Sequence, residues 1–131
     1  MVISHEYPPN MIAIAKAFPV DDLTVYTYGS TLYAPHATNI PEDLLVHEET
    51  HSRQQGLEPA LWWDKYIADP QFRLKMELGA YRAQYRFYKK LPQARQNPPA
   101  FKLLLTLARD LSGPLYGHLV DYYTAIALIK Q

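Results

Sequence analysis

Prolines divide this chain into short segments and limit where its helices can begin and end. Proline has no backbone N–H, so it is accepted in the first turn of a helix and disfavoured in the interior. Eleven prolines are spread over 131 residues, with Pro41 and Pro70 placed to start helices and Pro92 and Pro114 placed to end them. Without a repeat or a low-complexity linker between these segments, the chain is predicted to form a single domain over residues 1–131.

The predicted order of elements is a small N-terminal sheet followed by helices. Residues 23–28 are β-branched and aromatic, Gly29 and Ser30 supply a turn, and residues 31–34 resume the pattern, which predicts a β-hairpin. Helices are predicted over 11–18, 41–55, 70–90, 98–111 and 115–129, with a short segment at 61–67. We therefore expect an α+β fold that is mainly helical, with three helices after the one at 41–55.

Charge balance and the absence of cysteine exclude several kinds of function. Lys plus Arg and Asp plus Glu both number 13, so no net field attracts nucleic acid or anionic membranes. Without cysteine, only His, Asp and Glu remain as strong metal ligands. The N-terminus lacks the pattern of a signal peptide, and no apolar stretch reaches about 18 residues. We expect a cytoplasmic protein with neither nucleic-acid nor membrane partners.

The segment Val46-His47-Glu48-Glu49-Thr50-His51 matches the motif HExxH inside the helix predicted at 41–55. Four residues of helix turn through about 400°, so both imidazoles point the same way and can share one cation. Glu48 lies where it can reach a metal-bound water without being a ligand. The motif predicts a zinc-dependent hydrolase in which that water, activated by Glu48, attacks an amide carbonyl. The alternative is that both histidines are polar residues on an exposed helix face.

A zinc site needs a third protein ligand, and a later helix offers Glu77. A metzincin would place a histidine six residues after His51, but that position is Leu57. An apolar stripe on the helix at 70–90 is expected to face the core, with Glu77 on the flank beside it. A carboxylate that borders the core needs a partner, and zinc held by the neighbouring helix would be one. The alternative is an ion pair with Arg53 or Arg73.

The stripe consists of Phe72, Met76, Ala80, Ala83 and Phe87, and the flank of Glu77 also carries Tyr81, Gln84 and Tyr88.

The segment 46–55, followed by Glu77-Leu-Gly-Ala-Tyr-Arg-Ala-Gln84, resembles the small gluzincin-like metallopeptidases of bacteria and phages. In that family an HExxH helix is followed by an E-x-x-A-Y-like helix that supplies a glutamate ligand. The resemblance implies that His47, His51 and Glu77 bind zinc and that Glu48 is the base. It also implies a zincin-like fold, in which the HExxH helix packs beneath a small sheet whose edge strand pairs with an extended peptide or protein substrate.

One departure from related enzymes concerns the support of the ligand histidines. Thermolysin-like enzymes place an acid where this chain has Tyr81, and that acid orients a ligand histidine. Other residues must orient the imidazoles here. A hydrolase also needs a group that stabilises the oxyanion. Tyr116, His118 and Tyr122, after the break at Gly113, are candidates, with Tyr116 and His118 preferred, and Tyr81 is another.

A rival interpretation comes from the tyrosine content. Eleven tyrosines exceed what a core of this size needs, and tyrosine is common at contact surfaces. The chain would then be a structural or interaction module of a homo-oligomer or of a larger assembly, such as a phage particle, and would be virion-associated. Its zincin scaffold would retain a metal with little or no catalysis. Among enzymes, an amidase acting on cell-wall peptides uses the same water-activation chemistry.

Overall fold

The structure, a computed structural model, describes residues 1–131 and is α+β and mainly helical. Six helices and three short strands are joined by short loops and two 3-10 turns at Gln93–Arg95 and Pro114–Tyr116. The strands are β1 (Val2–Ser4), β2 (Tyr26–Tyr28) and β3 (Thr31–Tyr33). The helices are α1 (Met11–Ala17), α2 (Glu42–Gln55), α3 (Pro59–Ala68), α4 (Pro70–Lys89), α5 (Ala100–Leu111) and α6 (Tyr122–Lys130).

The sheet has the strand order β1-β3-β2, so β2 lies at one edge. Strands β2 and β3 are antiparallel and joined at Gly29, whose φ of 63° suits the glycine of a tight turn, so the predicted hairpin is confirmed. Strand β1 pairs with β3 in parallel and was not predicted. Three residues are too few for an alternating pattern to be recognised, and Val2 and Ile3 are both exposed.

Helix α2 begins and ends close to the predicted positions. Glu42 and Asp43 lie in its first turn, where carboxylates favour the positive end of the helix dipole. Gly56 ends it with a φ of 56°, and its N–H donates to the Ser52 carbonyl. One side of α2 packs against strand β2 and another against α4, which brings the HExxH residues between the sheet and the longest helix.

Two hydrophobic clusters lie on either side of α4. One joins α4 to α5 and α6 around Leu107, Leu111 and Ile129. The other joins α1, β2 and α3 around Ile14 and the two tryptophans, Trp62 and Trp63. Because α4 contributes to the packing of both clusters, its side chains are held from several directions.

The stripe predicted to face the core on α4 is confirmed in part. Ala80 is buried, and Phe72 and Met76 are partly buried and pack against the cluster around Trp62 and Trp63. The flank with Glu77 is nevertheless the most buried part of the helix. The buried residues of α4 are Arg73, Glu77, Ala80, Tyr81, Gln84, Tyr85 and Tyr88. Polar side chains are accepted there because they have partners: Gln84 bonds to α2, and Tyr88 donates to the Pro98 carbonyl at 2.6 Å.

The last helix was predicted to begin at residue 115, but it begins at Tyr122. Residues 114–116 form a 3-10 turn, and Gly117 follows in the left-handed region with a φ of 86°. Asp121 then caps α6 by accepting a hydrogen bond from the Thr124 N–H at 2.9 Å. None of the six helices combines the length and the apolar composition needed to cross a bilayer.

Candidate metal centre

The two histidines of the HExxH motif face each other inside the protein. His47 and His51 are 4% and 5% exposed, so the alternative of an exposed helix face is wrong. Their Nε2 atoms are 3.2 Å apart, as expected for residues one helical turn apart on α2. The ring of Tyr81 packs edge-on against His47, and the ring of Trp62 packs against His51. Both imidazoles are therefore held in fixed orientations.

Helix α4 brings Glu77 to the same point. Its Oε1 lies 3.2 Å from His47 Nε2, its Oε2 lies 3.2 Å from His51 Nε2, and the residue is 2% exposed. The alternative of an ion pair with arginine is wrong. The Arg53 guanidinium donates a hydrogen bond to the Thr50 hydroxyl, and Arg73 donates to backbone carbonyls, including that of Tyr66 at 2.7 Å. His47, His51 and Glu77 thus converge on one small volume, their ligand atoms all within 4.8 Å of one another.

Two glutamines orient the imidazoles. Gln84 Oε1 lies 3.0 Å from His47 Nδ1, and Gln54 Oε1 lies 2.8 Å from His51 Nδ1. The amide nitrogens are used elsewhere, because Gln84 Nε2 donates to Asp43 and Gln54 Nε2 donates to the Met76 carbonyl. With the amides oriented in this way, each Nδ1 carries the proton donated to its glutamine. Each Nε2 is thereby directed as a potential ligand towards Glu77.

The electrostatics of the centre favour positive charge. Burial, the largest influence, lowers the pKa of His51, but the adjacent Glu77 carboxylate outweighs it and raises that pKa to about 9. For Glu77, burial raises the pKa and the two histidines lower it by more, so the carboxyl group stays ionised. Tyr66 donates a hydrogen bond of 2.5 Å to Glu77 Oε2. Burial, and then the negative charge of Glu77, raise the pKa of the Tyr66 hydroxyl well above 10.0, which keeps it a donor.

One carboxylate oxygen of this centre has no hydrogen-bond donor. Glu77 Oε1 is buried and faces the Nε2 lone pair of His47, whose ring proton is on Nδ1. A buried acceptor without a partner is costly. A cation shared by these atoms would remove that cost.

The distances between the three groups fit a zinc ion. A tetrahedral site with bonds of about 2.0 Å separates its ligand atoms by about 3.3 Å. The Nε2 atoms of His47 and His51 are 3.2 Å apart, and each lies 3.2 Å from a different oxygen of Glu77. Two imidazole nitrogens and one carboxylate are also a ligand set found in catalytic zinc sites. The residues present therefore fit zinc, for which they would supply three protein ligands.

Glu48, the predicted base, lies beside the centre and is held by the sheet. Its Oε2 accepts a hydrogen bond of 2.7 Å from the Thr27 hydroxyl on edge strand β2. The Thr27 carbonyl in turn accepts from Gln55 at 2.8 Å and from Trp63 at 2.9 Å. Strand β2 is therefore locked to α2 and α3 at the position where Glu48 faces it.

Two hollows meet at this centre. One has a volume of about 70 Å³ and is lined by the metal-centre residues together with α1 and α3. The other is a wider cleft of about 770 Å³ that runs towards α5. Both are lined by Thr24, Val25, His47, Glu48, Leu115 and Tyr116. Glu48 thus lies where a ligand in either hollow can reach it.

Tyr116 and His118, the two preferred candidates for oxyanion stabilisation, have different positions. Tyr116 lines both hollows, and its hydroxyl lies 2.8 Å from that of Tyr81. Burial, followed by the charge of Glu77, raises the pKa of Tyr116 well above 10.0. His118 is exposed, its Nδ1 lies 3.1 Å from the Ser112 carbonyl, and it lines neither hollow. The left-handed turn at Gly117 directs the chain away, so the structure does not bring His118 to the centre.

Several residues of the centre were not identified as such from the sequence. Gln54 follows His51 by three residues, and Gln84 follows Glu77 by seven, so helical spacing alone places each beside a ligand. Thr27 and Tyr66 come from other elements and carry no comparable signal. Comparisons of the chain with protein-family models, with curated proteins and with solved structures found no match. The resemblance to gluzincin-like enzymes therefore stays a prediction.

Proposed function

We propose that this protein is a zinc-dependent hydrolase with a zincin-like fold that cleaves amide bonds in peptides. The observation that carries the proposal is the convergence of three buried ligand residues: the Nε2 atoms of His47 and His51 are 3.2 Å apart, and each lies 3.2 Å from a different carboxylate oxygen of Glu77. Such a buried arrangement of two imidazoles and a carboxylate is costly without a shared cation.

The position of the sheet supports a zincin-like arrangement. Helix α2, with its HExxH residues, packs against β2, which is one of the two edge strands of the sheet. A strand edge can accept an extended peptide as one more strand where its backbone groups are unpaired. The Thr27 carbonyl is not among these groups, because Gln55 and Trp63 already donate to it. Thr24 and Val25, which precede this strand, line both hollows, so a peptide lying along the edge would cross the face of Glu48.

The chemistry follows from the placement of Glu48 and Tyr116. Zinc in such a site polarises water and the substrate carbonyl. Glu48 accepts one proton from the attacking water as the new carbon–oxygen bond forms, and returns it to the amide nitrogen as the carbon–nitrogen bond breaks. The hydroxyl of Tyr116 donates to the developing oxyanion. The products are a carboxylic acid and an amine, which become a carboxylate and an ammonium group when the second proton of the water passes from the acid to the amine, and Glu48 ends in its starting ionised state.

A structural role for the metal is the second candidate, favoured by the deep burial of the ligands. Structural zinc sites are closed by four protein ligands, however, whereas this centre offers three and opens on two hollows. We favour the enzyme for this reason. In the structural candidate, the exposed tyrosines Tyr7 and Tyr123 would contact partner chains.

Metal analysis and turnover test the proposal together. Wild type, His47→Ala, Glu77→Ala and Glu48→Gln would be loaded with zinc, passed through gel filtration and incubated with a peptide library. His118→Ala serves as a matched control because that histidine is exposed and outside the centre. We expect both ligand variants to lose zinc, Glu48→Gln to keep zinc and lose turnover, and the control to keep both. Stoichiometric zinc in Glu77→Ala would show that Glu77 is not a zinc ligand. Bound zinc in the wild type without any cleavage would favour the structural candidate.

A further inference from the structure

The smaller hollow is walled mainly by apolar and aromatic side chains and is here called the aromatic slot. Its walls outside the metal centre include Ile14, Phe18, Val20, Trp62, Trp63 and Tyr66. The only ionisable acids and bases that line it, tyrosines apart, belong to the centre itself: His47, Glu48, His51 and Glu77. A charged side chain entering beyond the centre would therefore lose its hydration without gaining a partner.

The volume of the aromatic slot limits what it can hold. It measures about 70 Å³, several times the roughly 10 to 15 Å³ that a cavity needs, by this measure, to hold one water. There is room for one side chain of moderate size and none for a folded segment. The slot also reaches His51 and Glu77, so its occupant would lie directly beside the bond to be broken.

Besides Glu77 Oε1, a second polar atom among the residues that line the slot lacks a partner. Trp62 is 6% exposed, and its indole N–H donates to no acceptor within the protein. A buried donor of this kind is rare and calls for an explanation. A peptide with its side chain in the slot brings backbone carbonyls into the same hollow, and one of them can accept this hydrogen bond.

The opposite hollow has a different character. It is about ten times larger, and its walls include Gln84, Arg109 and Asp110. Neither Arg109 nor Asp110 has an ion-pair partner among the salt bridges of the structure. Polar or charged side chains are therefore accommodated on this side. The two sides of the centre place unequal demands on a peptide that crosses it.

We propose that the aromatic slot is a specificity subsite that accepts one medium-sized apolar side chain of a peptide, on a residue adjacent to the scissile bond. The rest of the peptide lies in the wide cleft, where its side chains are less restricted. The position of this residue next to a cleaved bond rests on the proposed function, whereas binding of its apolar side chain in the slot does not. Substrates would be peptides with a leucine-like residue at one defined position.

Tryptophan fluorescence tests the slot directly, because Trp62 and Trp63 are the only tryptophans in the chain and both line it. Glu48→Gln protein would be titrated, with and without zinc, with hexapeptides that have blocked termini and uncharged side chains at every position except one central residue, which is Leu, Lys or Asp. We expect saturable changes in emission, with a Kd for the Leu peptide at least about tenfold lower than for the other two. Equal affinities for all three peptides would overturn the proposal.

Two substitutions at one wall position test whether the slot itself is responsible. Val20→Phe fills the slot and should weaken binding of the Leu peptide by at least about tenfold, whereas Val20→Ala should favour a Phe peptide over the Leu peptide. Ile12→Ala is the matched control, since Ile12 is 77% exposed on α1 and lines neither hollow. Circular dichroism and zinc content establish that each variant is folded. If Val20→Phe does not fold, the preference of Val20→Ala decides, and an unchanged preference overturns the proposal.

The failure of the slot and the failure of the proposed function give different results. Leu-selective fluorescence changes in a protein that neither retains zinc nor cleaves peptides would support the slot and refute the hydrolase. Zinc-dependent cleavage without preference at any position would support the hydrolase and refute the slot.

Discussion

The Thr27 hydroxyl donates a hydrogen bond of 2.7 Å to Glu48 Oε2 and thereby ties the edge strand to the residue that we propose as the general base. Thr27 is buried on β2, and Glu48 is buried on α2. The remaining oxygen of the carboxylate is free to face a substrate. The contact thus orients Glu48 without any need for Thr27 to touch the substrate.

We predict that Thr27→Val lowers kcat by at least about tenfold, because it removes a hydrogen bond to a charged group while keeping the shape of the side chain. Zinc content should be unchanged, since Thr27 contacts no ligand. Thr27→Ser retains the hydroxyl and should restore most of the rate. Steady-state kinetics and zinc analysis on the three proteins decide the matter, and full activity in Thr27→Val would exclude a positioning role.

Gln84 is predicted to strengthen zinc binding by orienting His47. Gln84→Ala removes the acceptor of the His47 Nδ1 proton, and the loss of such a partner weakens metal affinity by about 10- to 100-fold. Competition with a chromophoric chelator measures the affinity. Gln93→Ala is the control, because Gln93 is exposed in a 3-10 turn far along the chain from both histidines. Equal affinities of wild type and Gln84→Ala would contradict the role.

Tyr116 is predicted to act on catalysis and not on the metal. Tyr116→Phe removes the hydroxyl that we assign to the oxyanion, and kcat should fall by about 100-fold with little change in KM or zinc content. Tyr123→Phe provides the comparison, since Tyr123 is 80% exposed on α6. The kcat and KM of both variants would be measured on one peptide. An unchanged kcat in Tyr116→Phe would show that Tyr116 does not stabilise the oxyanion.

The stability of the metal-free protein is predicted to depend on pH through His51. Its pKa is raised from 6.5 to about 9 in the folded state, so the folded protein binds a proton more tightly than the unfolded chain does. The resulting stabilisation is complete below pH 6.5 and is lost as the pH rises through 9. Thermal melts of chelator-treated protein between pH 6 and 10 should show a falling Tm.

His51→Gln is the control for this prediction, because it removes the titrating ring. The variant should show a weaker fall of Tm over the same interval. A Tm of the metal-free wild type that stays constant or rises between pH 6.5 and 9 would contradict the predicted direction.

Much of the centre could be predicted from the sequence because the relevant signals are local or helical. The spacing of His47 and His51 places both rings on one face of α2, and Glu77 was selected because it borders the buried side of α4. The hairpin was predicted correctly from its β-branched residues and Gly29. Gln54 and Gln84 could also have been identified from the sequence, since they follow the ligands at helical spacings.

Other features depended on contacts between distant parts of the chain. The predicted core stripe of α4 was correct only in part, because α2, α3 and α5 surround this helix and provide partners for the polar side chains on its other flank. His118 was expected near the centre from its position after Gly113, but the conformation of Gly117 turns it to the surface. Helical periodicity carries no information on either point.

The sequence by itself determined which side chains share a helix face, because rotation per residue is a local property of the backbone. It therefore predicted the paired imidazoles, the adjacent carboxylate of Glu48 and the later helix that carries Glu77. Only the tertiary structure decided that Thr27 holds Glu48, that Tyr66 donates to Glu77 and that two unequal hollows meet at the centre. These relationships arise from packing between residues that lie on different elements, 11 positions apart in the chain for Tyr66 with Glu77 and 21 for Thr27 with Glu48, where no local rule applies.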